Sequence, residues 1–203
     1  MKLSRLLLAS NNPGKLEEIH ALLGDLPLEL VTPVLLSLQL VVEENGQTYA
    51  ENAALKAKAF ARITGLLTLA DDSGLEVEAL GGQPGLRSAR FASKPGATDA
   101  DRRRYLLDCL AGQPRPWWAQ FRCVIALATA NGQARFVEGI CPGEIIPEER
   151  GDNGFGYDPI FLLPELGCTM AELTMQEKNR LSHRARAVLA ARPILTEMLT
   201  SSG

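Results

Sequence analysis

Residues 5–23, RLLLASNNPGKLEEIHALL, decide the fold class of this chain. The aliphatic run Arg5–Ala9 has the composition of a short buried strand, and the turn-forming run Ser10–Gly14 ends it. Beyond Lys15, apolar residues recur at helical spacing, at Leu16, Ile19, Leu22 and Leu23. The stretch therefore predicts a strand, a tight loop and a helix, which together form the repeating unit of an α/β fold.

The chain repeats this pattern on the C-terminal side of the first unit. Leu28–Val31 predicts a second strand, and Tyr49–Ile63 predicts a helix whose apolar side is mostly alanine and packs closely on a sheet. Leu66–Ala70 predicts a third strand, which the acidic stretch Asp71-Asp72-Ser73-Gly74 follows at once. We therefore expect these carboxylates at the carboxyl end of a strand, where open α/β sheets bind ligands.

The second half of the chain adds an antiparallel element. The β-type runs Ala119–Ala130 and Ala134–Cys141 flank Asn131 and Gly132, a dipeptide typical of a two-residue hairpin turn. The sheet is therefore predicted to be mixed. Three further helices are predicted, over Thr98–Ala111, after the capping pair Thr174 and Glu177, and from Ser182 through Met198. No repeat or linker divides the chain, so residues 1–203 are expected to form one sizeable domain or two lobes that share a core.

The composition excludes several classes of function. Of the 203 residues 46% are hydrophobic and 22% charged, and 21 Lys and Arg face 24 Asp and Glu, giving a net charge of −3. No positive field would attract a polyanion, so a nucleic acid is not an expected partner.

The first apolar run, Leu6–Ala9, is too short for a signal sequence or a membrane span. We expect a cytoplasmic protein without membrane contact, whose cysteines, Cys109, Cys123, Cys141 and Cys168, are reduced thiols in the core.

Two clusters of residues are suited to phosphate and metal chemistry. The loop Ser10–Lys15 lies between a strand and a helix, where backbone N–H groups and a lysine can bind phosphate, although an ordinary capped turn has the same residues. Glu43, Glu44, Asp71 and Asp72 supply the carboxylate oxygens that Mg²⁺ prefers. Of these, the adjacent pair Asp71 and Asp72 is the harder to explain without a cation, because the two charges repel each other.

Two clusters further along the chain are suited to binding a flat ligand. The glycines on either side of Phe155 let the backbone approach a ring closely while the side chain offers a stacking face. Lys178, His183 and Arg184 are hydrogen-bond donors that can bind anionic or carbonyl oxygens. An aromatic-filled turn and a solvated basic helix face are the corresponding structural alternatives.

Taken together and in order, these motifs resemble the Ham1-like family of inosine triphosphate pyrophosphatases. The resemblance extends from about Arg5 to about Leu199. It rests on Ser10-Asn11-Asn12-Pro13-Gly14-Lys15, Glu51-Asn52-Ala53 with Lys56, Asp71-Asp72-Ser73-Gly74-Leu75, Ser88-Ala89-Arg90, Phe155-Gly156-Tyr157-Asp158-Pro159 and Ser182-His183-Arg184. It implies a long mixed sheet flanked by helices, with two lobes around a deep nucleotide-binding cleft. It also implies a cytosolic homodimer that uses Mg²⁺ to hydrolyse ITP, dITP and XTP to the monophosphate and pyrophosphate.

The same resemblance implies roles for individual residues. Asp72 is expected to bind metal and activate the attacking water, with Lys15 and Lys56 as catalytic lysines at the phosphates. Glu43 is the expected second metal ligand, and its neighbour Glu44 is the alternative. Substrate contacts are expected from Ser10, Asn11, Asn12, Pro13, Gly14, Lys15 and Ser73, and at the base and sugar from Phe155, Gly156, Tyr157, Asp158, Lys178, His183 and Arg184.

Two rival functions remain open at this stage. A sensor that holds a triphosphate without cleaving it would use the same lysines, but a carboxylate at Asp72 would then weaken binding without serving a purpose. A pyrophosphatase acting on modified pyrimidines would share the phosphate chemistry and differ only at the base.

Overall fold

The computed structural model describes residues 3–200 of the chain. The described part contains seven strands: β1 (Ser4–Leu8), β2 (Leu28–Val31), β3 (Leu67–Val77), β4 (Trp117–Ala128), β5 (Ala134–Ile145), β6 (Phe161–Leu163) and β7 (Cys168–Thr169). Its α-helices are α1 (Pro13–Leu23), α2 (Tyr49–Thr64), α3 (Asp99–Leu110), α4 (Met175–Leu181) and α5 (His183–Thr200). Short 3-10 turns lie at Glu78–Leu80, Gly85–Arg90, Asp158–Ile160 and Met170–Glu172.

The strands form one mixed sheet in the order β2-β1-β3-β4-β5-β6-β7. Strand β1 pairs in parallel with β2 and β3, so that Leu6 lies opposite both Leu30 and Leu67. Strand β6 pairs antiparallel with β5 and with β7. The predicted α/β fold with a mixed sheet is confirmed.

One compact unit comprises residues 3–72, 123–139 and 184–200 of the described chain. Successive side chains of a strand point to opposite faces of the sheet, and this unit buries both faces. One face packs against α1 and α5, with Leu6, Leu8, Leu69, Ile19 and Val188 among the buried residues. The other packs against the alanine-rich side of α2, with Leu7, Ala70, Ala53 and Ala57 among them. The predicted close packing of α2 on the sheet is confirmed.

A second compact unit comprises residues 73–122 and 140–183. Its core joins α3 to the parts of β3, β4 and β5 within this unit and to the segment after β5, with Leu75, Leu106, Phe121, Ile145 and Phe161 fully or almost fully buried. Strands β3, β4 and β5 contribute residues to both units, and β3 passes from the first to the second after Asp72.

Local signals in the sequence set several helix ends. Thr98 and Asp101 form a reciprocal capping box at the start of α3, and Thr174 and Glu177 form another at the start of α4. At the C-terminal end of α2, Gly65 adopts a left-handed conformation, and its N–H donates to the Ala61 carbonyl. These helix predictions are confirmed.

Two predictions about strand ends are wrong. Strand β3 does not stop at Ala70 but continues to Val77, because Leu75 and Val77 bury their side chains in the core of the second unit. The β4–β5 turn is longer than two residues, since the Thr129 N–H bonds to the Gln133 carbonyl at 3.0 Å. Gly132 provides the positive φ of 89° that a three-residue turn of this kind requires.

No helix among residues 3–200 is long and apolar enough to cross a bilayer. The four cysteines, all within the described residues, are free thiols. Cys123 and Cys141 are buried, whereas Cys109 and Cys168 are half-buried, so the predicted core position holds only for the first two.

Candidate active site

The acidic pair Asp71 and Asp72 lies inside β3 rather than at its end. Because neighbouring residues of a strand face opposite ways, the two carboxylates separate onto different faces of the sheet. Asp71 lies on the face covered by α1 and α5, and Asp72 on the face covered by α2. Their expected mutual repulsion is thus reduced by strand geometry, and each carboxylate has its own set of partners.

Asp71 is the centre of a buried ion network in the first unit. Its Oδ2 atom lies 2.9 Å from Lys15 Nζ and 3.4 Å from Arg184 Nε, while Arg184 also binds Glu18. Burial alone would raise the pKa of Asp71, but the charges of Lys15, Arg184 and Lys56 outweigh it and hold that pKa well below its ordinary value. Asp71 is therefore a permanent anion that holds Lys15 close to β3.

The main-chain carbonyl of Asp71 holds a second lysine. Lys56 Nζ on α2 donates to this oxygen at 2.7 Å and lies 3.4 Å from Glu44 Oε1. The side chains of Lys15 and Lys56 are only 16% and 14% exposed. The structure thus brings together the two lysines that the sequence assigned to the phosphates.

Asp72 has a different environment from Asp71. It is 8% exposed, and its Oδ2 atom accepts a hydrogen bond of 3.1 Å from Asn52 Nδ2 on α2. Burial raises the pKa of Asp72, with a further contribution from the negative charge of Glu44, and this outweighs the lowering by Lys56, Asn52 and Lys15. An acid with a raised pKa, next to lysines, has the character expected of a group that exchanges protons with water.

The structure favours Glu44 over Glu43 as the partner of Asp72. Glu44 is half-buried, binds Lys56 and acts electrostatically on Asp72, whereas Glu43 is exposed to solvent. The sequence could not make this choice, because it depends on how the irregular segment before α2 packs.

The donor set at Asp72 and Glu44 fits Mg²⁺ as a partial site. Among residues 3–200 no group of three or more His, Cys, Asp and Glu side chains is placed to hold a metal ion. Mg²⁺ is commonly bound through one or two carboxylates, with substrate phosphates and water as its remaining ligands. Two carboxylates beside two lysines match that pattern.

The first loop is a capped turn, as the structural alternative predicted, but its lysine is not solvated. Asn12 caps α1 by accepting from the Lys15 N–H at 3.1 Å, and Ser10 Oγ accepts from the Asn12 N–H at 3.2 Å. Asn11, Asn12 and Pro13 are exposed, and Gly14 is half-buried. The turn directs Lys15 toward Asp71.

In the second unit, the loop before β6 carries the predicted flat-ligand residues. Asp158 Oδ2 accepts from the Phe155 N–H at 2.9 Å and binds Lys178 Nζ at 2.6 Å. The Lys178 ammonium lies 5.0 Å from the centre of the half-buried Phe155 ring. Gly154 is required, because a Cβ there would overlap the Asp158 carboxylate. The role of Asp158 as a buried acceptor for Lys178 is not predicted by the sequence pattern.

Helix α3 fixes the same loop through residues that the sequence analysis did not select. Asp99 Oδ2 accepts from the Gly156 N–H at 2.7 Å, and Arg103 donates to the Gly156 carbonyl at 2.9 Å. Tyr157 is anchored separately, since its hydroxyl donates to the Ser88 carbonyl at 2.9 Å. The spacing of Asp99 and Arg103, one helical turn apart, is the only signal that places both on one face of α3.

The remaining predicted residues fall in both units. His183 stacks on Phe121 in the second unit, with ring centres 4.7 Å apart, and Ser73 lies half-buried in β3. Arg184 belongs to the first unit, where it is 1% exposed and paired with Asp71 and Glu18. Lys178 and His183 belong to the second unit and Arg184 to the first, so neither unit by itself contains all three predicted donors. Contact between Arg184 and a base stays a prediction.

Comparison with known proteins places these features in context. The model of the Ham1 family matches residues 6–194. A protein of Desulforamulus reducens named dITP/XTP pyrophosphatase is 47% identical over 195 residues, covering 96% of each chain. One of Thermus thermophilus with the same name is 47% identical over 189 residues, covering 92% of this chain and 89% of the relative.

Solved structures agree with the sequence comparison. The HAM1 protein of Coxiella burnetii superposes with a TM-score of 0.87 at 44% identity, covering 96% of this chain and 100% of the other. The Ham1 protein of Staphylococcus aureus gives a TM-score of 0.83 at 37% identity, with the same coverage.

Proposed function

This chain belongs to the Ham1 family, and we propose that it hydrolyses non-canonical purine nucleoside triphosphates, namely ITP, dITP and XTP, to the monophosphate and pyrophosphate. The relatives named dITP/XTP pyrophosphatase match nearly the whole chain, which supports this substrate class. One structural observation carries the chemistry: Asp71 holds Lys15 through its carboxylate and Lys56 through its carbonyl, next to the Asp72 carboxylate.

Hydrolysis of a triphosphate requires that negative charge be neutralised as the leaving group departs. Lys15 and Lys56 supply two positive charges on short, fixed contacts, so that little reorganisation is needed when phosphates bind. The N-terminus of α1, which begins at Pro13, adds the positive end of the helix dipole near Lys15. We assign the triphosphate to these groups and to the loop Ser10–Lys15.

Mg²⁺ is the proposed cofactor, and Asp72 and Glu44 would hold it. When bound, such an ion neutralises phosphate charge and orients phosphate oxygens. Asp72 is the proposed base that orients and deprotonates the attacking water. Its hydrogen bond from Asn52 directs the carboxylate, and burial raises its pKa, which makes it a stronger base than an exposed aspartate.

We assign the base of the nucleotide to the loop around Phe155 and to Ser73. Phe155 offers a ring face, and Lys178 and His183 offer donors to a 6-keto oxygen. Adenine would present an amino group to the same donors, so ATP is expected to be a poor substrate.

From the resemblance to the Ham1-like family we also propose that the chain forms a cytoplasmic homodimer. Adjacent tryptophans in β4 offer one possible surface: Trp117 is 8% exposed and packs inward, while Trp118 is 46% exposed. Sedimentation as a monomer at every protein concentration tested would contradict the proposed dimer.

A coupled assay over a panel of nucleotides tests the proposed function. Pyrophosphate and phosphate are measured separately for ITP, dITP, XTP, ATP, GTP and modified pyrimidine triphosphates. Pyrophosphate release from the first three supports the proposal. Binding of ITP without release of either product would favour the sensor, and preference for a modified dUTP or dTTP would favour the pyrimidine enzyme.

A further inference from the structure

A single buried amide connects the two segments that carry the proposed metal ligands. Asn52, on the first turn of α2, is 2% exposed. Its Oδ1 atom accepts from the Gly46 N–H at 2.8 Å, and its Nδ2 atom donates to Asp72 Oδ2 at 3.1 Å. Gly46 is two residues after Glu44, in the irregular segment before α2, and Asp72 is in β3.

The amide of Asn52 satisfies both contacts at once. The Gly46 N–H requires an acceptor and the ionised Asp72 carboxylate requires a donor, and an asparagine side chain has one of each. An aspartate at position 52 would keep the acceptor but place a second carboxylate against Asp72. A buried apolar residue would leave both partners without this hydrogen bond.

The Gly46 side of the contact is also tightly packed. A Cβ atom on Gly46 would lie 2.7 Å from Glu51 Cβ and 2.8 Å from Asn52 Oδ1, closer than such atoms approach in proteins. The segment that carries Glu44 can therefore lie against the start of α2 only with glycine at this position. The close approach and the hydrogen bond together fix where Glu44 emerges relative to Asp72.

From this geometry we propose that Asn52 is a positioning residue, which sets the distance and orientation of Glu44 and Asp72 so that both can bind one divalent cation. Asn52 acts through its two partners and needs no contact with the nucleotide. This inference rests on the proposed function, because it assigns Asn52 a purpose only if Asp72 and Glu44 bind metal.

The test compares three variants of the full chain. Asn52→Ala removes both hydrogen bonds, and Asn52→Asp keeps the Gly46 contact while replacing the donor to Asp72. Thr48→Ala is the matched control: Thr48 caps the same helix by accepting from the Glu51 N–H at 3.1 Å, so its loss weakens α2 at a similar place. For each variant we would measure kcat for ITP, Mn²⁺ binding without nucleotide by electron paramagnetic resonance, and the Tm of the metal-free protein.

The proposal predicts a specific separation of these readouts. Both Asn52 variants should lose about 10- to 100-fold in kcat and in Mn²⁺ affinity, the range typical when a residue that orients metal ligands is lost. Thr48→Ala should lower the Tm while kcat and Mn²⁺ affinity stay within about twofold of wild type, because a cap contributes to helix stability alone. If Asn52→Ala does not fold, the near-isosteric Asn52→Asp carries the test.

Two results would overturn the inference. In the first, folded Asn52 variants keep wild-type Mn²⁺ affinity and kcat. In the second, Thr48→Ala loses as much of both as the Asn52 variants do, so that the loss follows helix stability. Failure of the proposed function is distinguishable, since wild-type protein would then release no pyrophosphate from ITP, whatever its Mn²⁺ affinity.

Discussion

The carboxylate of Asp71 and the ammonium of Lys15 lie 2.9 Å apart in the first unit, with the Asp71 side chain 1% exposed. This ion pair explains why an acid with no assigned contact to substrate precedes the proposed base Asp72. Asp71 stays ionised far below its ordinary pKa and keeps Lys15 in place before phosphate arrives. Preorganised charge of this kind is worth more to catalysis than charge that must first be brought into position.

Neutralising Asp71 should impair both stability and turnover. Asp71→Asn leaves Arg184 and Lys15 with one anionic partner fewer, and removing one partner of a buried ion pair costs about 3–5 kcal/mol in the free energy of unfolding. Glu18→Gln is the matched control, because Glu18 binds Arg184 in the same buried network. We expect both variants to lose a similar free energy of unfolding, measured by urea denaturation. Only Asp71→Asn should also lose kcat, by about tenfold. If the kcat of Asp71→Asn equalled that of Glu18→Gln, Asp71 would be purely structural.

Replacing Asp72 should separate activity from stability. Asp72→Asn keeps the shape but removes the base, so kcat should fall by about 10² or more.

Burial raises the folded pKa of Asp72 above its unfolded value, so the folded wild type loses stability as pH rises through that folded pKa. The metal-free Asn variant lacks this loss, and its stability relative to wild type should increase with pH above about 4. Urea unfolding across pH measures this, and a stability difference between variant and wild type that does not change with pH above about 4 would contradict it.

Removing the charge of either lysine should affect catalysis more than folding. Lys15→Met and Lys56→Met keep the length of the side chain, and each should lower kcat/KM for ITP by about 10² through lost charge stabilisation. The fold of Lys15→Met should persist, because Asp71 retains Arg184 as a buried cationic partner. The fold of Lys56→Met should persist, because its ion-pair partner Glu44 is 33% exposed and stays hydrated. Steady-state kinetics and a thermal melt decide between a catalytic and a structural role for the two lysines. A large fall in the Tm of the variants would show that the role is structural.

Loosening the loop around Phe155 should weaken nucleotide binding. Arg103, 12% exposed, donates to the Gly156 carbonyl, whereas its neighbour Arg104 is 73% exposed. Arg103→Met should raise the KM for ITP about tenfold, in line with the loss of one charge-assisted hydrogen bond, and change kcat much less. Arg104→Met serves as the control with unchanged kinetics. A fall in kcat alone would place Arg103 at the chemistry instead.

Much of the fold could be predicted because apolar periodicity and capping residues act locally. Strand β2 matches Leu28–Val31 in full, and α3 begins after Thr98 as expected. The continuation of β3 through two aspartates could not be predicted, because it depends on distant cations and on a second core that buries Leu75. Strands β6 and β7, with three and two residues, are too short to show a period.

The candidate site was predicted as a set of residues and not as a geometry. The sequence selected Lys15, Lys56 and Asp72, whose contacts lie in one unit. It did not select Asn52 as a contact of Asp72 or choose Glu44 over Glu43, because both outcomes depend on packing of the irregular segment against α2.

The identity of the first product of ITP hydrolysis tests the central claim most directly. A ³¹P NMR time course with Mg²⁺ resolves pyrophosphate from phosphate, and parallel reactions with ATP and GTP report selectivity. We predict that pyrophosphate and IMP accumulate in equal amounts, with kcat/KM for ITP at least about 10²-fold above that for ATP and GTP. Release of phosphate as the first product, or equal rates for ITP and ATP, would contradict the account.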